Sequence, residues 1–180
     1  MTTLRVAVGI IWVAFWIFWF ASALGSKRGA RNSNWVAGRF VIVIVAIVVI
    51  RVVHPRAWTS NDPVVGAIGA ALFACGLAIA IWARINIGRN WGMPMTVKEE
   101  PELVTSGPYR FVRHPIYSGL LLAFLGTALL TNLIGLVFVA AITAVFYYSA
   151  VVEERNLTAS FPDAYPAYRE HTKMLIPYVL

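Results

Sequence analysis

The sequence is poor in charge and in cysteine. Of its 180 residues, 13% are charged and 59% are hydrophobic, which is too apolar for an ordinary soluble domain. The single cysteine, Cys75, excludes an internal disulfide and a cysteine-rich metal site, and the three histidines are too scattered to suggest another kind of metal site. The net charge of +7 fits the basic loops of a membrane protein better than a nucleic-acid surface. We therefore predict an integral membrane protein that binds membrane lipids, but neither nucleic acid nor a metal.

The sequence also lacks the motifs of common soluble enzymes. It has no glycine-rich phosphate loop, no G-x-S-x-G turn, no H-E-x-x-H zinc motif, and no alternation of strands and helices typical of dinucleotide-binding domains. What remains is a set of polar residues at the ends of apolar segments.

Long apolar segments define the architecture. A helix needs roughly 20 mostly apolar residues to cross the hydrocarbon core. Five segments approach that length: 4–24, 36–53, 64–83, 115–130 and 133–152. We therefore predict an all-α integral membrane protein with about five transmembrane helices.

The same segments suggest two parts of the chain. Residues 1–60 would form an N-terminal two-helix membrane segment, and residues 61–180 a core with three spans. Within the core, residues 84–114 are predicted to form a cytoplasmic loop and residues 153–180 a helical C-terminal tail.

Basic residues decide the orientation. With an odd number of spans the termini lie on opposite sides. A cytoplasmic C-terminus places twelve of the fifteen lysines and arginines inside and only Arg5, Arg51 and Arg56 outside. By the positive-inside rule we predict an outside N-terminus and a cytoplasmic C-terminus. Seven of the eight acidic residues, all but Asp62, fall on the same inner side, which indicates a working site there.

The first apolar segment carries three tryptophans. Trp12, Trp16 and Trp19 recur at helical spacing, which favours packing or interface anchoring of a span. A cleaved signal peptide is the alternative, because Arg5 precedes the apolar region and a passable cleavage pattern ends it.

The third segment carries a stripe of small residues. Gly66, Ala70, Ala74 and Ala78 recur every four positions. Such a stripe lets a neighbouring helix approach closely, so we predict a helix contact along it.

A polar and basic stretch, GPYRFVRHPIYSG at residues 107–119, stands directly before the fourth segment. Proline is favoured at the first helical position, so Pro115 makes His114 the expected N-cap and places Tyr117 in the first turn. Free backbone N–H groups and the positive end of the helix dipole would then lie beside His114, Arg110 and Arg113. Such a pocket suits an anionic group such as a carboxylate.

Two adjacent carboxylates, Glu153 and Glu154, follow the fifth segment. Ionisable groups at the membrane boundary are functional candidates by default. The alternative is that they pair with Arg84, Arg110 or Arg113 and only hold helices together.

A short connection brings these groups together. The fourth and fifth segments are joined by little more than Thr131-Asn132, so they must form a tight antiparallel hairpin. The inner ends of the two segments therefore meet, and the glutamates face His114 and Tyr117 across one cavity. That arrangement suits a zwitterionic ligand with an additional cationic centre.

Three stretches occur in a fixed order: LVTSGPYR at 103–110, RHPIYSG at 113–119, and EERNL at 153–157 followed by Phe161, Tyr165 and Tyr168. Their order and spacing resemble those of the isoprenylcysteine carboxyl methyltransferase family and its phospholipid methyltransferase relatives, over roughly residues 84–180. The resemblance implies a membrane-embedded methyltransferase that uses S-adenosylmethionine without a Rossmann domain. It also implies a lipophilic methyl acceptor that enters from the bilayer.

The resemblance further implies which residues contact the cofactor. They are Glu102, Leu103, Val104, Tyr109, Arg113, His114, Pro115, Ile116, Tyr117 and Glu153. The helix N-terminus near His114 suits the methionyl carboxylate, Glu153 suits a cationic part of the cofactor, and the tyrosines suit cation–π contact. Methyl transfer would be an in-line displacement that depends on alignment and on the exclusion of water.

One position departs from the family pattern. The prenylcysteine enzymes are expected to carry an arginine four residues before the first glutamate, where it faces the substrate carboxylate, but this chain has Ser149. The departure puts prenylcysteine in doubt as the acceptor and affects methyl transfer less. Arg84, Arg89 or Asn90 could orient a different acceptor. The candidate catalytic residues are Arg84, Asn90 and Glu154.

Two other functions fit parts of the pattern. Membrane sterol reductases carry a comparable histidine-proline turn, so an NADPH-dependent reductase is the enzymatic alternative, although those chains are generally longer. A non-enzymatic membrane scaffold would use the charged residues only for packing. Binding of S-adenosylhomocysteine or of NADPH distinguishes the three.

Overall fold

The computed structural model describes residues 2–24, 29–30, 62–91, 97–98 and 102–179. In these ranges lie the helices α1 (Thr2–Ala23), α2 (Pro63–Ile87), α3 (Pro115–Thr131), α4 (Gly135–Ser160) and α5 (Ala164–His171). They also contain the 3-10 helices Gly88–Asn90 and Gly107–Arg110, and the antiparallel two-residue strands β1 (Gly29–Ala30) and β2 (Val97–Lys98). The predicted second span, residues 36–53, lies outside the described residues.

The described helices confirm an all-α membrane protein. Helices α1, α2 and α4 are long and apolar enough to cross a membrane, and α3 is a shorter apolar helix. Helices α2 and α4 continue beyond their predicted ends, because residues such as Arg84, Glu153 and Glu154 are good helix formers. These charged side chains therefore lie on helices, where the backbone fixes their direction.

Helices α2 and α3 pack closely through glycines. Gly69 and Gly76 on α2 are two turns apart, as are Gly119 and Gly126 on α3. A Cβ added to Gly76 would overlap the backbone of Gly119 and Ala123, and one added to Gly126 would overlap the backbone of Gly69. Gly69 thus meets Gly126 and Gly76 meets Gly119, so the two helices are antiparallel and nearly in backbone contact.

The predicted stripe of small residues on α2 is only partly a contact surface. Gly66 is buried and Ala70 packs against the core, whereas Ala74 and Ala78 are exposed, so the closest contact runs along a neighbouring stripe that also consists of small residues. A helix rich in small residues offers several narrow stripes. The one in use is the stripe whose seven-residue glycine spacing matches that of α3.

Helix α1 packs its tryptophans against the other helices. The Trp12 indole N–H donates to Thr127 Oγ1 at 3.0 Å, and its ring stacks on Phe124 with 4.8 Å between centroids. Trp19 is buried and meets Trp91 edge to face. These contacts confirm the predicted packing role of the tryptophans.

The connection between α3 and α4 is short, as predicted. Helix α3 ends at Thr131 and α4 begins at Gly135. The Asn132 side chain accepts a hydrogen bond from the Ile134 N–H at 2.9 Å and so closes the turn. The hairpin brings the beginning of α3 beside the second half of α4.

The C-terminal segment returns to the beginning of α3. Val112 and Lys173 form an isolated parallel bridge. The N–H groups of Arg113 and His114 donate to the carbonyls of Lys173 and Met174 at 2.8 and 3.0 Å. The segment 172–175 therefore covers the polar motif that precedes α3.

Candidate functional site

The motif before α3 adopts the predicted local structure. His114 is the N-cap, Pro115 occupies the first helical position and Tyr117 lies in the first turn. The His114 side chain does not cap the helix but stacks on the Tyr117 ring with 5.5 Å between centroids. A helix leaves its first N–H groups without intrahelical partners, so this end of α3 can receive an anion.

Five side chains meet at the beginning of α3 and in the second half of α4, which are the predicted inner ends of these helices: Arg113, His114, Tyr117, Glu153 and Glu154, hereafter the glutamate cluster. The Tyr117 hydroxyl donates to Glu153 Oε1 at 2.6 Å. His114 Nδ1 lies 3.5 Å from Glu153 Oε2, and His114 Nε2 lies 3.4 Å from Glu154 Oε1. The histidine ring is therefore held between the two carboxylates.

The two glutamates have different surroundings. The Glu154 side chain is 6% exposed and accepts a hydrogen bond from Arg113 Nε at 2.7 Å. Arg113 also donates to the carbonyls of Arg169 and Thr172, which ties Glu154 to the C-terminal segment. The Glu153 side chain is 24% exposed. Glu154 thus lies within the packing, whereas Glu153 is the carboxylate that a ligand can reach more easily.

The cluster favours a charged histidine. Burial by itself disfavours the charged ring, but the neighbouring carboxylates of Glu153 and Glu154 outweigh burial and hold the pKa of His114 above its ordinary value. A protonated His114 matches its position between two carboxylates.

Tyr109 connects the cluster with the inner end of α2. Burial, helped by the neighbouring Tyr168 and Glu153, raises the pKa of the Tyr109 phenol, and Arg84 acts in the opposite direction. Tyr109 is therefore within electrostatic reach of both Glu153 and Arg84. The Tyr168 hydroxyl donates to the Tyr109 carbonyl at 2.5 Å and holds this segment against α5.

A polar cavity of about 540 Å³ lies between the inner end of α2 and residues 102–106. Its lining consists of Asn86, Ile87, Arg89, Asn90, Glu102, Leu103, Val104, Thr105 and Ser106. The Asn90 amide donates to Glu102 Oε2 at 3.0 Å and joins the two walls. The volume falls within the roughly 300–1,000 Å³ that small-molecule sites occupy.

Arg84 lies apart from both the glutamate cluster and the polar cavity. It contacts Trp19, Ser22, Gly88 and Trp91, and we call these five residues the Arg84 cluster. Its side chain is buried, donating to the carbonyls of Gly88 at 2.8 Å and Ser22 at 2.6 Å. The guanidinium carbon lies 4.7 Å from the centroid of the Trp91 ring. These contacts favour a positioning role over contact with an acceptor.

The predicted site residues thus fall into two groups. Arg113, His114, Pro115, Ile116, Tyr117, Glu153 and Glu154 lie at the inner ends of α3 and α4, whereas Asn90, Glu102, Leu103 and Val104 line the cavity. Tyr109 lies between the groups. Their catalytic and cofactor-binding roles stay predictions. Among the described residues, no group of three or more histidine, cysteine or acidic side chains could hold a metal ion.

Several contacts could not be anticipated from residue types. The carbonyls of Ser22, Gly88 and Thr172 are backbone groups, which carry no sequence pattern. Leu175 is buried beside Tyr117, and its carbonyl accepts a hydrogen bond from Ser118 Oγ at 2.5 Å. Only the tertiary structure reveals these partners.

Comparisons with known proteins give consistent similarities. Residues 64–164 match the family model described as phospholipid methyltransferase. Methanethiol S-methyltransferase 1 of Bradyrhizobium diazoefficiens is 38% identical over 79 residues, which are 43% of this chain and 27% of the relative. Protein-S-isoprenylcysteine O-methyltransferase B of Arabidopsis thaliana is 29% identical over 126 residues, 68% of this chain and 61% of the relative.

A solved structure shares the fold. The eukaryotic intramembrane Ras methyltransferase, an isoprenylcysteine carboxyl methyltransferase, is similar with a TM-score of 0.58 and 20% identity, over 83% of this chain and 55% of that one. The chain spans less than two thirds of the length of these relatives.

Proposed function

The chain belongs to the phospholipid methyltransferase family, and on this premise we propose that it transfers a methyl group from S-adenosylmethionine to a lipophilic acceptor at the membrane boundary. The observation that carries the proposal is the glutamate cluster at the N-terminus of α3. There, His114 and the accessible carboxylate of Glu153 lie side by side. They offer a positive and a negative environment within one small space.

This arrangement fits the charges of the cofactor. S-adenosylmethionine has a carboxylate, an ammonium group and a sulfonium group. The N-terminus of α3 and a protonated His114 favour the carboxylate, while Glu153 favours a cationic group. The Tyr117 ring stacks on both His114 and Phe146, which holds its hydroxyl against Glu153.

We assign the remaining part of the cofactor to the polar cavity. Glu102 offers carboxylate oxygens, Asn90 an amide, and Thr105 a hydroxyl, which together suit a ligand with several hydroxyl and ring nitrogen groups. Tyr109 follows the cavity-lining residues 102–106 in the chain and is within electrostatic reach of Glu153. The assignment uses both groups of predicted cofactor residues.

When bound, S-adenosylmethionine would supply a methyl group carried on its sulfonium sulfur, and transfer of that group would leave S-adenosylhomocysteine. A thiol acceptor would release its proton to solvent. The protein contributes alignment and the exclusion of water. The C-terminal segment serves the second purpose, because Leu175 is buried against Tyr117 and Ala150 beside the cluster. A strong general base is not required.

Ser149 bears on the acceptor. In prenylcysteine enzymes this position is expected to hold an arginine that faces a carboxylate. Here Ser149 is completely buried, and its hydroxyl donates to the Val145 carbonyl at 2.8 Å. Since the position offers no cation, we favour a lipophilic acceptor without a carboxylate. A small thiol is consistent with the relatives named methanethiol S-methyltransferase.

Ligand binding tests the cofactor. We expect S-adenosylhomocysteine, but not NADPH, to stabilise the detergent-solubilised protein in calorimetry or thermal shift. His114→Ala and Glu153→Gln should each weaken S-adenosylhomocysteine binding about tenfold or more, which is about 1.4 kcal/mol. Glu170→Gln, which alters an exposed carboxylate on α5, is the control and should bind like the wild type. Stabilisation by NADPH alone would indicate a reductase, and no response to either ligand a scaffold.

Methyl transfer tests the acceptor. With S-adenosylmethionine labelled in its methyl group, we expect incorporation into a short alkyl thiol and into an apolar fraction of native lipid extract. Farnesylcysteine should be the poorer acceptor. Efficient methylation of its carboxylate would contradict the argument from Ser149 and leave cofactor use intact.

We place the glutamate cluster on the cytoplasmic side, since twelve of the fifteen lysines and arginines fall there when the C-terminus is inside. A reporter fused to the C-terminus and active only in the cytoplasm should be active. If that reporter is inactive, and a second reporter that works only outside the cytoplasm is active at the same position, the predicted orientation is wrong.

A further inference from the structure

One guanidinium joins the inner ends of two helices. Helix α1 ends at Ala23, so the Ser22 carbonyl is one of the last carbonyls that lack an intrahelical donor. Gly88 is the C-cap of α2. Arg84 donates one Nη to each of these carbonyls, at 2.6 and 2.8 Å. Its planar, forked donors are suited to such a bridge, whereas a lysine ammonium is a single point charge.

The bridge is built into a buried environment. Arg84 is 3% exposed, and Trp91 and Trp19 place their rings 4.7 and 6.0 Å from its guanidinium carbon. The two indoles meet edge to face at 5.7 Å. A buried cation is costly unless it is well bound, so this geometry is strongly specified.

The bridge adjoins a wall of the polar cavity. Gly88 begins the 3-10 turn Gly88–Asn90, and Asn90 donates to Glu102 across the cavity. On the same wall, Asn86 fills the space beside Gly107, whose φ of 58° and lack of a side chain permit the contact. A shift of the turn would therefore displace Asn90 and Glu102 together.

We propose that Arg84 is a positioning residue that holds the Gly88–Asn90 turn to the inner end of α1 and thereby sets the place of Asn90 and Glu102 in the cavity wall. Helix α1 is then part of the working unit and not only a membrane anchor. The inference rests on the proposed function only in taking the cavity as part of the cofactor site.

Hydrogen exchange of the ligand-free protein tests the positioning directly. The Trp91 N–H donates to the Gly88 carbonyl at 3.3 Å. In Arg84→Lys we expect its exchange, and that of the rest of the turn, to be about tenfold faster or more, while the middle of α3 exchanges as in the wild type. Arg110→Lys is the matched control, because Arg110 is exposed and also lies over an aromatic ring, that of Phe111. Unchanged exchange in Arg84→Lys would overturn the inference.

Coupling to Asn90 tests how Arg84 affects the ligand. Arg84→Lys and Asn90→Ala should each weaken S-adenosylhomocysteine binding about tenfold. The double variant should bind S-adenosylhomocysteine no more than about twofold less tightly than the single variant of lower affinity, because both changes disturb one connected unit. If the affinity losses of the two single variants multiply in the double variant, Arg84 acts on the ligand independently of Asn90. If Arg84→Lys lowers Tm but leaves the affinity unchanged, the role of Arg84 is purely structural. Both results contradict the proposal.

The two tests separate this inference from the proposed function. Absence of S-adenosylhomocysteine binding in the wild type would remove the proposed function, while the exchange experiment would still decide whether Arg84 holds the turn. Normal wild-type binding with unchanged exchange in Arg84→Lys would remove only the inference.

Discussion

The Arg84 cluster and the glutamate cluster both stabilise buried charge, but with different chemical groups. Each places charge in a buried position near the ends of apolar helices. Arg84 is bound by backbone carbonyls and indole rings, whereas Glu154 is bound by Arg113 and lies beside His114. The first cluster uses dipoles and aromatic faces, and the second uses groups that can exchange protons.

This difference suits the two clusters to different tasks. An arginine does not lose its proton in proteins, so the Arg84 cluster holds helix ends together under all ordinary conditions. The glutamate cluster contains a histidine and two carboxylates, and its net charge responds to pH and to a charged ligand. We therefore assign structural support to the Arg84 cluster and ligand binding to the glutamate cluster. Within the glutamate cluster, Glu154 has the structural role.

The largest effect should come from breaking the pair of Arg113 and Glu154. Glu154→Gln leaves a buried guanidinium without its carboxylate, which typically costs about 3–5 kcal/mol. We expect about 3 kcal/mol, because Arg113 keeps the carbonyls of Arg169 and Thr172. Thermal and denaturant unfolding in detergent would measure the loss.

The matched control removes a different partner of the same carboxylate. Arg169 lies 3.6 Å from Glu154 Oε2, but its side chain is 60% exposed. Arg169→Gln should therefore cost less than about 1 kcal/mol. Equal losses of stability in Glu154→Gln and Arg169→Gln would contradict the conclusion that the buried Arg113–Glu154 pair supports the fold more than the exposed Arg169 does.

Much of this arrangement was predictable because local rules decide it. Proline at the first helical position fixed His114 and Tyr117 at the start of α3. The connection between α3 and α4 is so short that the two helices must form an antiparallel hairpin. With the helix start and the hairpin given, Glu153 had to come near Tyr117. The predicted alternative of pairing with Arg113 also holds for Glu154, while the role of each glutamate stays a prediction.

The parts that were not predictable depend on backbone groups and on a choice among similar surfaces. The partners of Arg84 are carbonyls that any residue could supply at positions 22 and 88. The small-residue stripe at Ala74 and Ala78 was as plausible as the true contact until α3 supplied glycines that match Gly69 and Gly76. Such choices belong to tertiary packing.

A smaller effect should appear when the pH is changed. The pKa of His114 is raised above the ordinary value of 6.5 by Glu153 and Glu154, against the opposing effect of burial. A raised pKa means that protonation stabilises the folded state, so this contribution is fully present below about pH 6.5 and is lost as the pH rises through the folded pKa. The wild type should therefore lose stability over that range.

His114→Gln supplies the comparison for this pH dependence, measured as Tm between about pH 5 and pH 9. The variant should have a flatter profile than the wild type over the range in which His114 titrates. A wild-type profile that rises with pH there, or one that His114→Gln leaves unaltered, would contradict the assignment of the proton to His114.

The smallest effect should come from the aromatic side of the Arg84 cluster. Trp91→Phe keeps a ring beside the guanidinium but weakens the cation–π contact, so we expect a loss of about 0.5–1 kcal/mol. Trp82→Phe, which changes an exposed ring on α2, should change stability by less. The loss in Trp91→Phe should be the same at low and high pH, because arginine does not titrate in this range. A loss that grew with pH would mean that the Arg84 cluster shares the proton chemistry of the glutamate cluster, and the division of tasks between the two would fail.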